Sequence, residues 1–241
     1  MSVNKIDETI AMVQNNQLKK SDTFRFRCRK CGQCCKNRED IILNPYDLYR
    51  AAKALNMKHE DFIEKYCEVY IGPSSKLPLI RLMPVGTEKI CPLLKDNHCS
   101  VHQSKPTVCA LFPLGRSVDV QTDKKSIIYF YNGATCGKKS DKHTVAEWLK
   151  SFGLEKSEEF FIEWADFSGE IAIKIHDFKK KVSEKTMNAT YRAVYIYLYL
   201  KYDEGKDFMD AFRENCKNCI DMLKEVNEAM DTYNEKENKT S

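Results

Sequence analysis

The chain has 241 residues, a formal net charge of +4 at pH 7, 42% hydrophobic and 31% charged residues. That length suits one large domain or two small ones, and so small a basic excess argues against a dedicated DNA-coating surface. The N-terminal stretch carries charges where a signal peptide places its apolar segment. The longest near-apolar run, residues 193–200, is too short to span a bilayer. These features predict a soluble, cytoplasmic protein with no membrane partner.

Taken in chain order, residues 4–18 have helical spacing, with Ile6, Ile10 and Val13 on one side. Segment 1–23 is therefore expected to be an N-terminal helix. "FRFRC" alternates apolar and basic residues and reads as a short strand. It leads into "CRKCGQCCKN", where Cys28, Cys31, Cys34 and Cys35 fall within eight positions. "IILNPYDLYRAAKAL" contains a helix start, with Asn44 as cap and Pro45 in the first turn. "KHEDFIEKYCEVY" reads as a second helix that includes Cys67. From Gly72 to Cys136, "PLIRLMP", "KICPLL" and "SIIYFYN" read as short strands between turns.

Past Lys142 the spacing turns helical in "HTVAEWLKSF", "KSEEFFIEWADF", "TMNATYRAVYIYLYLKY" and "DFMDAFRENCKNCIDMLKEVNEAM". The pattern predicts an α+β fold. An irregular cysteine-rich metal-binding domain with short strands covers 24–142, a helical C-terminal half packs on it over 143–232, and a polar frayed tail occupies 233–241.

Eleven cysteines in a reducing compartment point to metal binding or catalysis rather than to disulfides. Thiolate sulfur is a soft donor that selects zinc, copper(I) or iron–sulfur clusters. A Cys-x-x-Cys pair converges because the chain turns between its members, and Gly32 suits a left-handed turn. The run of Cys28, Cys31 and Cys34 fits a zinc knuckle and a cluster-binding ferredoxin alike. Adjacent Cys34 and Cys35 can serve one compact centre only where the backbone bends sharply. Cys91, Cys99, Cys109 and Cys136 form a looser second group that the fold must gather. Eight sulfurs fit two four-thiolate sites, or one site with spare thiols.

"FRCRKCGQCCKN", "NPYDLYRAAKALNM", "CPLLKDNHCSVHQSKPTVCALFPLGR" and "ATCG", in that order, resemble the CxxCxxCC family of zinc- or iron-chelating proteins. The resemblance covers about residues 24–140. It implies that the metal ligands are Cys28, Cys31, Cys34, Cys35, Cys91, Cys99, Cys109 and Cys136. It further implies an iron–sulfur cluster, [4Fe–4S] as first choice, or zinc, with a role in electron transfer or protein modification. A non-catalytic zinc-stapled binding module is one alternative. A SAM-dependent protein-lysine N-methylase is another, because one branch of the family includes flagellin lysine N-methylase. Against the methylase, the chain has no G-x-G nucleotide loop and no C-x-x-x-C-x-x-C spacing.

The expected partner is another protein, as redox partner or modification substrate. Nucleic acid is the lesser reading, resting on Arg25, Arg27, Arg29, Lys30, Lys36 and Arg38 with Phe24 and Phe26 as stacking surfaces. Charge balance for bound thiolates explains the same basic residues more simply. His102, three residues after Cys99, is expected to hydrogen-bond a thiolate or the backbone rather than to bind metal. Cys67 reads as a core residue, and Cys216 and Cys219 share a helix face where packing is the simpler role.

Overall fold

A computed structural model describes residues 10–119, 125–134, 136–179, 181–203 and 205–240. Helices and short strands in small sheets make an α+β fold with a helical C-terminal half, as the periodicity predicts. The chain divides into two compact units, one of residues 1–41 and 83–162, the other of 42–82 and 163–241. Among the described residues no helix is long and apolar enough to cross a membrane.

In the first unit, α1 (residues 10–15) leads into strand β1 (Gln17–Leu18). The N-terminal helix was expected to cover far more, but residues 1–9 lie outside those described. Strand β2 (Thr23–Arg27) bears out the reading of "FRFRC": Phe24 and Phe26 are buried while Thr23, Arg25 and Arg27 are exposed. That alternation is the two-residue period of a half-buried strand. β2 pairs antiparallel with β10 (Lys138–Thr144), and β1 and β8 (Leu114–Asp119) flank β9 (Ser126–Tyr131) in a three-stranded antiparallel sheet.

The core under these strands joins Phe24, Phe26, Leu111, Leu114, Val145 and Leu149. The Trp148 indole crosses Phe24 and Phe26 edge-on, at 5.5 and 5.9 Å between ring centres. Its Nε1 donates to the carbonyls of Ala110 and Leu111, each at 3.1 Å, so the buried polar atom is satisfied. Helix α5 (Val145–Ser151) starts on a complete capping box between Thr144 and Glu147.

In the second unit, β5 (Pro78–Leu82) lies between β3 (Ile42–Leu43) and β4 (Cys67–Ile71), all antiparallel. Asn44 caps α2 (Pro45–Ala54) by accepting from the Asp47 amide at 2.8 Å, as the sequence predicts. The predicted helix through Cys67 and Tyr70 is shorter than expected. Helix α3 stops at Tyr66 (His59–Tyr66), and Cys67–Ile71 is strand β4, paired from Cys67↔Leu82 to Ile71↔Pro78. β-Branched and aromatic residues there favour a pleated strand once a partner is beside them.

Residues 42–82 were read as part of a 24–142 domain. They instead group with the C-terminal helices, because the buried face of α2 (Leu48, Ala51, Ala52) and the Tyr46 and Tyr49 rings pack toward Phe208. Helix α6 (Ser157–Lys179) carries the boundary between the units. Helix α7 (Glu184–Tyr195) continues into a π-helical turn (Ile196–Leu200). Helix α8 (Phe208–Thr240) runs through the tail expected to fray, since nothing in it breaks a helix: it contains neither Gly nor Pro.

Candidate metal centre

Strand β2 ends at Arg27 and delivers Cys28 to the surface. The Lys30 amide donates to Cys28 Sγ at 3.3 Å. Lys30 and Gly32 both take left-handed backbone angles (φ 53° and 68°), turning the chain twice in three residues. A methyl group on Gly32 would meet Leu94 and Asn97 only at ordinary contact distance, so the angle rather than crowding calls for glycine. A 3₁₀ turn (Gln33–Cys35) follows, closed by Cys35 N–H to Gly32 O at 2.9 Å. This is the sharp bend that adjacent cysteines require, and it leaves Cys34 Sγ and Cys35 Sγ 3.9 Å apart.

The second group is tied to the first through the backbone. The Cys91 amide donates to Cys35 O at 2.8 Å, and the Asn37 amide to Glu88 O at 3.2 Å. Beyond Cys91 a small hairpin forms from β6 (Leu94–Lys95) and β7 (His98–Cys99), with Leu94 opposite Cys99. Asp96 and Asn97 form its turn at φ 48° and 59°, as a two-residue hairpin loop demands. Helix α4 (Thr107–Leu111) holds Cys109 in its middle.

Cys136 is positioned by Gly137, which lies hard against β2: an added Cβ would stand 2.4 Å from Phe26 Cε2 and 3.0 Å from Arg27 O. The pairing Lys138↔Arg27 then sets Cys136 at the end of the ribbon where Cys28 leaves β2.

The thiols act on one another electrostatically. Cys34 falls well below the usual thiol range, chiefly because Cys35 donates a hydrogen bond to its thiolate, with Lys105 and Arg38 adding positive charge. Cys35 is driven far upward by the same bond, by burial, and by the negative charges of Cys34, Cys91 and Cys109. Burial pushes Cys109 up to about 12, and Cys91 and Cys99 add to the rise. Burial also raises Cys91, with Cys99 and Cys34 contributing, and Cys99, with Cys34 contributing. Cys136 is raised by burial, then by Cys34, Cys31 and Cys28. All eight predicted cysteines thus lie in the first unit, linked by mutual charge effects, and Cys34 is common to most of the links.

All eleven cysteines are free thiols. Among the described residues no three His, Cys, Asp or Glu side chains stand close enough together to hold a metal ion as placed. The donor chemistry nevertheless suits a soft metal. Burial and mutual repulsion disfavour a set of bare thiolates, and a bound cation relieves both by displacing the thiol protons.

Other predicted residues fall elsewhere. His102 sits in an exposed 3₁₀ turn (His102–Ser104), its ring edge-on to Phe152 at 5.9 Å, and among the described residues it makes no hydrogen bond to a thiolate or to the backbone. Phe24 and Phe26 are 7% and 4% exposed, which removes them as stacking surfaces for bases. Cys67, Cys216 and Cys219 belong to the second unit. Cys67 and Cys219 are buried, and burial pushes Cys219 up to about 12. Lys105 was not singled out from the sequence, yet it bears on Cys34, Cys99 and Cys109. Its place four residues before Cys109 was the available signal.

Cysteine-bearing turns and a short hairpin thus bring eight thiols into one unit. Residues 27–138 match the model of the CxxCxxCC family, described as a putative zinc- or iron-chelating domain. No curated protein and no solved structure gives a significant match.

Proposed function

We propose that Cys28, Cys31, Cys34, Cys35, Cys91, Cys99, Cys109 and Cys136 ligate an iron–sulfur centre, [4Fe–4S] as first choice, which serves electron transfer or modification of another protein. The observation that supports this reading is that all eight cysteines lie in one unit, with Cys34 Sγ and Cys35 Sγ 3.9 Å apart and the Cys91 amide bonded to Cys35 O at 2.8 Å. Such a cluster supplies one-electron chemistry at a potential tuned by hydrogen bonds to sulfur, net charge and solvent exposure. Here Arg38 and Lys105 supply positive charge, and the Lys30 amide supplies a sulfur hydrogen bond. Oxygen-free purification followed by iron and sulfide analysis and Mössbauer spectroscopy tests the reading. A colourless, iron-free protein overturns it.

A structural zinc staple is the second reading. Its support is the brevity of the elements around the thiols: two-residue strands and three-residue turns. Structural zinc supplies about 10–16 kcal/mol in small peptides, against about 5–15 kcal/mol for the stability of a whole domain. Stoichiometric zinc, with unfolding of these loops on chelation, would favour it over iron.

A further inference from the structure

We infer that the β2–β10 ribbon beside the cysteines is a docking face for an acidic protein surface. Arg25 and Arg27 project from the exposed face of β2, and Lys138, Lys139 and Lys142 are exposed on β10. Arg29 and Lys30 continue the face into the turn after Cys28, and both are exposed. The register sets like charges opposite each other, Lys138 against Arg27 and Lys142 against Arg25. Directly opposed like charges destabilise a strand pair, so this pattern costs the fold.

Relief is slight. Asp141 Oδ2 stands 3.8 Å from Arg27 Nε, and Arg25 Nη1 donates to Ser140 O at 3.0 Å. Among the described residues, Arg25, Arg29, Lys30, Lys138, Lys139 and Lys142 have no ion-pair partner. With seven basic residues and one carboxylate, the face carries more positive charge than the +4 of the whole chain, so the remainder of the protein is slightly acidic. The ribbon thus concentrates basic charge next to Cys28 and Cys136.

A complementary charged surface steers association and fixes orientation, so an acidic partner would be brought to the thiols. The observations favour protein over nucleic acid: the aromatic rings of β2 point into the core and offer no stacking surface for bases. The location of the docked partner's target rests on the metal-centre reading, whereas the charge of the face does not.

The test uses the full chain, a fluorescent oligoglutamate peptide, and a single-stranded oligodeoxynucleotide of the same charge number, at low salt. The peptide binds the wild type with strong salt dependence and more tightly than the oligonucleotide. The double variant K138E/K142E weakens peptide binding by about tenfold or more. Because it converts both like-charge pairs into opposite pairs, it also raises Tm by about 2–4 °C. The reversal K185E/K217E, placed in the second unit, leaves peptide binding unchanged. The neutral variant K138Q/K142Q should weaken binding in the same direction and serves should the reversal misfold.

No peptide binding, binding unaffected by both ribbon variants, or tighter binding to the oligonucleotide overturns the inference. Metal content is measured in every sample. Peptide binding by a metal-free wild type refutes the metal-centre reading alone, and a metal-loaded wild type without peptide binding refutes the docking face alone.

Discussion

The cysteine loops of the first unit and the helical second unit hold themselves together by different means. The second unit buries large apolar side chains: Phe62, Ile80, Tyr199 and Phe212 are each at most 1% exposed. The stretch from Cys28 to Cys35 buries no apolar side chain, and Cys28, Cys31 and Cys34 are exposed. Hydrophobic burial yields roughly 25 cal/mol per Å² removed from water. A segment without such burial needs another source of order, and here clustered thiols and a network of backbone hydrogen bonds stand in its place.

Chelation should break this contrast most visibly. Under reducing, oxygen-free conditions, removing bound metal is expected to abolish hydrogen-exchange protection in residues 28–38 and 91–109. Protection in α7 and α8 should persist, and equal loss in both units would contradict the division. The next effect belongs to the second unit: Phe212→Ala should cost about 3–5 kcal/mol by denaturant unfolding, with metal stoichiometry unchanged. A fall in metal content with that variant would show the two units to be one cooperative system.

Thr144→Ala removes one half of the α5 capping box and should cost about 1 kcal/mol. Its effect should appear in the transition that reports on Trp148. Smallest near neutrality is the contribution of the Cys219 thiol. Its folded value of about 12 lies above that of an unfolded cysteine, so the folded state holds the proton more tightly. The associated stability is complete below about pH 8.5 and is lost as pH rises toward 12. Cys219→Ala should therefore flatten the alkaline limb of a stability–pH curve, and an unchanged limb would count against the assignment.

The ligand-bearing turns were readable because they are local. Gly32 and the Cys-x-x-Cys spacing announce a left-handed turn, Asn44–Pro45 announces a helix start, and the alternation of "FRFR" announces which side is buried. Each signal depends on residues that touch their own neighbours in sequence. What could not be read were facts fixed by distant partners. The β10 ribbon "KKSDKHT" has no apolar alternation and becomes a strand only because β2 pairs with it. Cys67 leaves the predicted helix because Leu82 pairs with it. His102 meets Phe152, fifty residues away in sequence, instead of a sulfur.

The sequence by itself determined the thiol-rich chemistry and the α+β character of the chain, since residue type sets donor softness and periodicity sets the local element. Only the tertiary structure decided that residues 42–82 join the C-terminal helices and that the like charges of β2 and β10 face one another. Grouping and register follow from which apolar faces meet across long separations, and no local pattern encodes that choice.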